Sequence, residues 1–543
     1  MTSAEDILDT QRRQTLLGRV DDHVFQSAFA SAAVRADVDD LIELKLGAML
    51  DYELWVTGVE VGAAVATAPG TTDTSDAAAS HVFDQLLAYV VAASSRRRIE
   101  LRDLFLACSA ALRSRRPTEL RHVLRLPTIS QIIDALSDET HSWPTKVQET
   151  ISRALILITR QVGRQDIENA RRQVDELRRL QGEMESALFA GSDQNQRSAL
   201  TLLALYHAGQ ATIVLTDYVL AGQFIGGTGR AVNVVTELQT LMRKAHEYAV
   251  LTSDPELTTW VTSVALIAGK LRSDSIWASG SNINERTDAL VRSVSNRDGA
   301  ILSMLPSQQD ALSKNLLDPQ REAVILQMPT SSGKTLMAEL AILQTLSGYA
   351  DSRVVYLTPT RALATQVRRT LGSDFSELGI EVTAAGSAFE EDPFEQALLD
   401  KITGVVVSTP EKLDLLLRSR SEWFDGVRLV IVDEAHMLKD GERGVRLELL
   451  LANIRREHAH IRLLLLTPFV ENAQDVATWL SQDRAGEVEV QWRPSRLIIG
   501  LASLKGRQKT RRIEIEWKEP HRKSALSDTV MPLTGDERAI LKE

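Results

Sequence analysis

The sequence predicts an α + α/β fold in which a large N-terminal all-helical domain precedes a doubly wound lobe with a parallel sheet. Residues 1–290 contain few Gly and Pro residues, and their apolar residues recur at helical spacing. After Pro306, short β-rich runs alternate with helical patterns, which indicates a parallel sheet covered by helices on both faces. The five predicted strands are Val324–Leu326, Val354–Thr358, Val405–Ser408, Leu429–Val432 and Arg462–Thr467. We therefore divide the chain into a helical part, residues 1–290, an α/β lobe, residues 291–500, and residues 501–543, which are predicted to be a linker or the incomplete start of a second lobe.

The composition is typical of a globular protein with several domains. A chain of 543 residues is too long for one core, and 44% hydrophobic with 25% charged residues is ordinary for such proteins. The net charge of −11, from 62 basic and 73 acidic residues, argues against a uniformly basic nucleic-acid binder but permits a local basic track. No signal-peptide pattern and no membrane-length apolar run is evident, and Cys108 is the only cysteine. These observations predict a cytoplasmic protein without disulfides.

Two patterns in the helical part predict specific elements. From residue 145 to about residue 190, the apolar periodicity predicts either one long helix or two helices joined near Gly163. Nearer the N-terminus an apolar residue recurs at every fourth position, which predicts a helix there. The four residues are Ile42, Leu46, Leu50 and Leu54.

A phosphate-binding loop is predicted after the first β-rich run. Val324 to Leu326 suit a buried strand, and the eight residues that follow Gln327, MPTSSGKT, have the spacing of a nucleotide P-loop. Met328 replaces the first glycine of that pattern. In such loops, backbone N–H groups and a helix N-terminus bind phosphates, the lysine reaches the β- and γ-phosphates and the hydroxyl binds Mg²⁺. The residues predicted to bind nucleotide are Pro329, Thr330, Ser331, Ser332, Gly333, Lys334 and Thr335, with Thr335 also a metal ligand.

Two adjacent carboxylates follow a second predicted strand, Leu429–Val432. Asp433 is predicted to hold Mg²⁺, and Glu434 to orient and deprotonate an attacking water. An acidic pair exposed to solvent at the end of a strand is the alternative. The P-loop on another strand of the same alternating pattern favours the catalytic interpretation, because ligands of parallel sheets bind at the carboxyl ends of the strands.

Five motifs occur in order along the chain: Pro306-x-Gln308-x-x-Ala311, MPTSSGKT at 328–335, PTRALA at 359–364, TPEK at 409–412 and DEAH at 433–436. They resemble the motifs of superfamily-two DExH helicases, and the resemblance implies a RecA-like lobe over roughly residues 300 to 500. The segment at 443–450 resembles the Ski-like and archaeal repair helicase branch, and bacterial antiviral-defence helicases of this branch, such as the helicase subunit of the Hachiman system, are similar in layout.

The resemblance implies ATP and Mg²⁺ as cofactors and single-stranded or forked DNA or RNA as the substrate, with a nuclease as a possible protein partner. Gln308 resembles the residue that contacts adenine, and His436 resembles the residue that couples the ATP site to strand separation. Methionine is a common replacement for the first P-loop glycine in this family. The residues that resemble nucleic-acid backbone contacts are Thr360, Arg361, Thr409 and Pro410.

The sequence departs from the family pattern in two places. The coupling motif, usually Ser-Ala-Thr, is Thr467-Pro468-Phe469. The family also uses a second RecA-like lobe that carries arginine fingers, and residues 501–543 are too few for it. We therefore expect this chain alone to turn ATP over slowly. Two functions stay open: an ATP-dependent helicase or translocase, and a nucleotide-gated interaction module that scaffolds a partner such as a nuclease.

Overall fold

The chain forms two compact units in the computed structural model. One unit contains residues 1–59, 74–137 and 495–543, and the other contains residues 60–73 and 138–494. The described residues are 38–66, 75–95, 98–135, 141–190, 196–280, 283–297, 299–349, 351–384, 403–419, 421–481, 484–494, 500–505, 512–517 and 529–532.

The described residues before the large sheet are almost wholly helical, as the sequence predicted. A short hairpin, β1 (Phe224–Ile225) with β2 (Ala231–Val232), interrupts the helices. The helices in chain order are α1 (Val38–Thr57), α2 (Val61–Ala66), α3 (Ser75–Ser95), α4 (Leu101–Arg113), α5 (Pro117–Leu124), α6 (Pro127–Asp134), α7 (Trp143–Arg160), α8 (Arg164–Ala190), α9 (Gln196–Ala221), α10 (Val234–Leu251), α11 (Pro255–Asp274), α12 (Ile276–Gly280) and α13 (Glu285–Asn296).

Helix α1 is present, but its predicted apolar residues lie on its exposed face. The buried residues of α1 occupy the opposite face, and Tyr52 there shares a 2.5 Å hydrogen bond with the Ser109 hydroxyl of α4. The helix is therefore apolar on two faces, and spacing alone could not show which face is buried. The exposed fractions are 54% for Ile42, 65% for Leu46, 58% for Leu50 and 66% for Leu54.

Helices α7 and α8 are separate, so the second of the two predicted alternatives is confirmed. Gln161 follows α7 in the left-handed conformation, with φ of 44°, which ends the helix. Asp166 in the first turn of α8 accepts a hydrogen bond from the Val162 backbone N–H (2.9 Å) and pairs with the buried Arg160 (2.7 Å). This local network fixes the angle between the two helices, because a buried charged pair tolerates few alternative geometries.

A seven-stranded parallel sheet forms the predicted α/β lobe, in the order β5-β6-β4-β7-β8-β3-β9. The five predicted strands are all present, with ends shifted by no more than two residues. The edge strands β5 and β9 were not predicted. In chain order the strands are β3 (Ala323–Gln327), β4 (Arg353–Leu357), β5 (Glu381–Ala384), β6 (Gly404–Ser408), β7 (Val427–Val432), β8 (Arg462–Thr467) and β9 (Ala485–Glu489).

Helices cover both faces of this sheet, which confirms the doubly wound architecture. Alternate residues of each central strand belong to two separate apolar cores: Val324 and Leu326 lie in one core, and Ala323 and Ile325 in the other. Burying a leucine or isoleucine side chain stabilises the fold by about 1.5–3 kcal/mol. The helices of the lobe are α14 (Pro306–Ser313), α15 (Lys334–Gly348), α16 (Arg361–Phe375), α17 (Pro410–Ser419), α18 (Gly441–Glu457) and α19 (Ala473–Trp479).

Three further features lie outside the large sheet: a small antiparallel sheet, a long apolar helix and a buried cysteine. The strands β10 (Gly500–Lys505), β11 (Arg512–Trp517) and β12 (Thr529–Pro532) form a small antiparallel sheet. Helix α9 is the one described helix long and apolar enough to cross a membrane, which the sequence analysis missed, and 56% of that stretch is buried within the protein. Cys108 is buried in α4.

Candidate active site

The predicted motifs follow neighbouring strands at one edge of the large sheet. The P-loop follows β3, Thr467 ends β8, Asp433 follows β7, Thr360 follows β4 and Thr409 follows β6. Since parallel strands lie about 4.8 Å apart, the loops after β3 and β6 are separated by four strand spacings, roughly 19 Å. The carboxyl edge of the sheet therefore holds the P-loop at one side, the two loops predicted to contact a nucleic-acid backbone at the other, and the acidic pair between them.

The P-loop has the alternating backbone conformation of an anion-binding loop. Ser331 and Gly333 both have positive φ angles, of 60° and 86°, so that successive N–H groups can converge on an anion. Gly333 immediately precedes α15, whose N-terminus favours negative charge. A side chain at Gly333 would be strained at this φ angle, and its Cβ would lie 2.1 Å from Gln308 Nε2, so that the Gln308 amide would have to move.

Lys334 carries an unsatisfied positive charge at this loop. Its Nζ atom is buried and has no hydrogen-bond partner within the part of the chain that the structure describes. Leaving a charged donor buried without a partner is costly, so a bound anion would stabilise this arrangement. Two hydroxyl-bearing residues lie beside Lys334 in the loop. Thr335, the predicted metal ligand, is exposed, whereas Ser332 is buried and its hydroxyl donates a hydrogen bond to the Pro329 carbonyl.

Gln308 contacts the P-loop rather than open solvent. Its Nε2 donates to the Gly333 carbonyl (3.1 Å), and its Oε1 accepts from the Leu305 backbone N–H (2.8 Å). Ser307 beside it donates to the Ser332 carbonyl (3.0 Å). Both ends of the Gln308 amide are therefore occupied, and contact with an adenine would require at least one of these bonds to be exchanged. Its role as the adenine contact stays a prediction.

The acidic pair is held in a defined orientation by its neighbours. Glu434 has a left-handed backbone, with φ of 52°, and its N–H donates to Asp433 Oδ1 (2.9 Å). The Tyr356 hydroxyl, on the neighbouring strand β4, donates to Asp433 Oδ2 (3.2 Å). Burial, and then the charge of Glu434, raise the pKa of Asp433, while Lys334 opposes the increase. A cation between the P-loop and Asp433 would relieve this repulsion.

The hydrogen bond from Tyr356 to Asp433 was not predicted from the sequence. The Tyr356 ring is 1% exposed, and burial followed by the Asp433 charge raises the pKa of its hydroxyl well above the ordinary value, so it remains a donor. No spacing in the sequence signals this contact, since the two residues lie 77 positions apart. The pairing of β4 with β7 brings them together.

His436 and Glu434 lie together in an open cleft. Their side chains are 3.3 Å apart, from Nδ1 to Oε2, and are 47% and 32% exposed. The cleft is also lined by Thr330 of the P-loop, Pro359 after β4 and Pro468 after β8. Residues from four of the predicted motifs therefore face one open space, in which a water molecule can approach Glu434.

The donor set fits Mg²⁺-nucleotide. Mg²⁺ is usually held by one or two carboxylates or hydroxyls together with phosphate oxygens and water, rather than by a cage of protein ligands. Thr335 and Asp433 supply one oxygen donor each, and Lys334 supplies the unpaired cation that a phosphate needs. The described residues contain no group of three or more His, Cys, Asp or Glu side chains that could hold a metal ion.

The predicted nucleic-acid residues differ in exposure. Thr360 and Arg361 are exposed, and the Thr360 hydroxyl accepts a hydrogen bond from Leu363 N–H (3.3 Å) as the N-cap of α16. Thr409 is half-buried, and Pro410 is buried as the first residue of α17. Thr360 and Arg361 are therefore the more accessible pair. All four roles stay predictions.

The altered coupling motif is anchored to the P-loop strand. Gln327 at the end of β3 accepts a hydrogen bond from the Val470 backbone N–H (2.7 Å) and donates to Glu487 on β9 (2.6 Å). Thr467 is buried, whereas Phe469 is 62% exposed. The motif after β8 is thus fixed by a buried amide that the sequence analysis did not identify, and it presents an aromatic ring where the family has a hydroxyl.

The sheet, the P-loop and the acidic pair define a RecA-like P-loop nucleotide-binding lobe. Residues 306–476 match the DEAD/DEAH box helicase family. The chain therefore carries a DEAD/DEAH box helicase domain, which confirms the resemblance drawn from the motifs.

Curated relatives match more than a third of the chain. The ATP-dependent DNA helicase Hel308 of Methanocella arvoryzae is 32% identical over 206 residues, which cover 37% of this chain and 26% of that protein. The Hachiman protein HamB of Bacillus cereus is 32% identical over 206 residues, which cover 38% of this chain and 18% of that protein. The match thus spans about a quarter or less of the length of these relatives.

A solved structure of the helicase Lhr of Mycobacterium smegmatis, bound to single-stranded DNA and AMP-PNP, is also similar. It is 27% identical, with a TM-score of 0.31, and the match covers 37% of this chain and 27% of that chain.

Proposed function

We propose that this chain is the ATP-binding part of an ATP-dependent nucleic-acid helicase or translocase, which hydrolyses ATP to move along or unwind DNA or RNA. The observation that carries the proposal is the order of loops along one sheet edge. Loops with the chemistry of phosphate binding lie at both sides of the acidic pair. Such an edge can hold a nucleotide and a nucleic-acid backbone at the same time.

The roles of the chain's own residues follow from their positions. Loop N–H groups and Lys334 hold the β- and γ-phosphates, and Asp433 and Thr335 would hold Mg²⁺. When bound, Mg²⁺ would neutralise part of the phosphate charge. Glu434, held by its left-handed backbone beside Asp433, orients water in the open cleft and accepts its proton. Thr360 and Arg361 bind phosphates of a strand without reading its bases.

Hydrolysis tests this proposal most directly. Glu434→Gln should keep nucleotide binding and lower ATP hydrolysis stimulated by single-stranded nucleic acid by about 10²–10⁴-fold, the usual contribution of a general base. Glu448→Gln, at an exposed position of α18, is the matched control and should leave hydrolysis unchanged. Equal hydrolysis by the wild type and the Glu434 variant would refute the assignment.

The alternative function, a nucleotide-gated interaction module, gives a different result in the same assay. It predicts that single-stranded DNA or RNA does not stimulate ATP hydrolysis and does not strengthen nucleotide binding. We further propose a role in antiviral defence within a complex with a partner protein, in line with the match to the Hachiman protein HamB. A cytoplasmic location is proposed because the sequence contains a single cysteine, the buried Cys108, which cannot form a disulfide within the chain.

A further inference from the structure

The end of helix α11 is joined to the segment that leads into α14. The Met304 backbone N–H donates to the Asp274 carbonyl (2.7 Å), and the Ile276 N–H donates to the Leu302 carbonyl (3.1 Å). Between these bonds, Ser275 and Ser303 form an isolated antiparallel bridge. Helix α14, which carries Gln308, therefore begins two residues after a short β-like contact with the helical region.

Three consecutive side chains of α14 then reach in two directions. Ser307 and Gln308 donate to the P-loop carbonyls of Ser332 (3.0 Å) and Gly333 (3.1 Å). Gln309 instead donates from Nε2 to Asp274 Oδ1 (3.0 Å) on α11. The exposed fractions of the three residues are 0%, 4% and 3%. One buried turn thus connects the P-loop to the helical region through side-chain hydrogen bonds.

The two P-loop carbonyls matter because a peptide group is planar, with its N–H opposite its carbonyl. Fixing the Ser332 carbonyl fixes the direction of the Gly333 N–H. Fixing the Gly333 carbonyl likewise fixes the direction of the Lys334 N–H. These two N–H groups lie at the loop end and at the start of α15, where a phosphate would be bound. A small rotation of α14 would therefore reorient phosphate-binding donors.

Asp274 is a costly residue at its position, which indicates a role beyond the stability of its own helix. It is the last residue of α11, where the helix dipole disfavours negative charge. Its carboxylate is buried and pairs with the buried Lys270 one turn earlier (2.9 Å). A buried carboxylate needs partners with good geometry, and Gln309 supplies the second one.

We propose that Asp274 and Gln309 are positioning residues of the nucleotide site, which couple helix α11 to the P-loop through α14. The inference rests on the proposed function, since it requires nucleotide to bind at the P-loop. Binding at the loop then orders the end of α11. By thermodynamic reciprocity, breaking the Asp274–Gln309 contact weakens nucleotide binding although neither residue touches the nucleotide.

An exchange of the two side-chain groups tests the contact itself. Asp274→Asn replaces the charged acceptor with a neutral amide, and Gln309→Glu places two carboxylates against each other, while the double variant Asp274→Asn/Gln309→Glu restores one carboxylate and one amide in exchanged positions. Glu256→Gln, in the exposed first turn of α11, is the matched control. The measurements are the Kd of a fluorescent ADP analogue, the unfolding midpoint and amide hydrogen exchange with and without ADP.

We expect each single variant to bind ADP about 5- to 30-fold more weakly, within the usual range of coupling between sites. The double variant should recover affinity to within about threefold of the wild type, because the two changes are not additive when the residues interact. The control should bind as the wild type does. In the wild type, ADP should slow amide exchange in residues 270–276, and the single variants should lose this effect.

Three results would overturn the inference. Single variants that unfold at lower temperature but keep wild-type ADP affinity would show a purely structural contact. Absence of slower exchange at residues 270–276 in the wild type on ADP binding would do the same, and that measurement needs no variant. A wild type that binds no ADP would instead refute the proposed function, and with it this inference.

Discussion

Lys334→Met gives a result that separates ligand binding from fold stability. Methionine keeps the length of the side chain but removes the charged group, which is buried without a hydrogen-bond partner among the described residues. Removing such a group relieves a desolvation cost of about 1–3 kcal/mol. Part of that gain is offset, because Lys334 also attracts the Asp433 carboxylate. A net gain of roughly 1 kcal/mol in the free energy of unfolding is expected without nucleotide.

Nucleotide should reverse the order of stability. A ligand at 100 times its Kd stabilises a protein by about 2.7 kcal/mol, and this gain requires binding to the folded state. The wild type should receive it from Mg²⁺-ATP, while the variant should not. For a lobe of this size, 1 kcal/mol corresponds to about 2–4 °C in the unfolding midpoint. Without nucleotide, the unfolding midpoint of the variant should therefore lie a few degrees above that of the wild type. With Mg²⁺-ATP, it should lie below that of the wild type.

Thermal unfolding with and without Mg²⁺-ATP measures both effects. Lys244→Met, at an exposed position of α10, is the control, and its midpoint should respond to nucleotide as the wild type does. A Lys334 variant that is stabilised by Mg²⁺-ATP as much as the wild type would refute the role of this lysine. A variant that is strongly destabilised without nucleotide would refute the claim that its charge is unpaired.

Three further predictions concern other residues of the lobe. Tyr356→Phe should raise the Mg²⁺ concentration needed for half-maximal nucleotide binding about fivefold, the effect of losing one hydrogen bond to Asp433, in a fluorescence titration. Arg361→Ala should weaken binding of all single-stranded sequences equally and reduce the salt dependence of log K by about 0.7, by fluorescence anisotropy. Burial and the Asp374 carboxylate raise the pKa of Glu339 well above its usual value, so wild-type stability falls as pH rises towards that pKa. Glu339→Gln should thus raise the unfolding midpoint more at about pH 8 than at about pH 5.

Each of these predictions has an outcome that contradicts it. An unchanged Mg²⁺ requirement would show that Tyr356 does not orient Asp433. A sequence-selective loss of affinity would place Arg361 against bases rather than phosphates. An advantage of Glu339→Gln that shrinks as pH rises would mean that the wild-type carboxyl group is ionised in the folded state.

The sequence predicted the elements whose signal is local. The P-loop spacing and the acidic pair after an apolar strand fix residue types at adjacent positions, and the alternation of strands and helices fixes the sheet. The edge strand β9, AGEVE, contains neither a continuous apolar run nor many β-branched residues, so nothing local marked it. Helix α1 was predicted, but the orientation of its Leu46 and Leu50 was not, because that depends on which helices pack against it.

The contacts that orient the site could not be read from local patterns. Three contacts join polar side-chain or backbone groups of residues that lie at least 35 positions apart in the chain: Tyr356 with Asp433, Gln327 with the Val470 N–H, and Gln309 with Asp274. Each contact depends on strand order or on helix packing, which one sequence without its fold does not specify. The P-loop was predictable because its eight residues are contiguous, and its supports were not because they come from other elements.

The burial of Cys108 has a practical consequence for following this molecule in solution. It is the only thiol in 543 residues and is fully buried, so it should react slowly with thiol-directed probes. A cysteine introduced at an exposed position, such as Glu256→Cys or Arg369→Cys, would then be the single fast-reacting thiol without any change to the native one. A fluorophore or spin label placed in this way could report movements of α11 or α16 against an otherwise silent background.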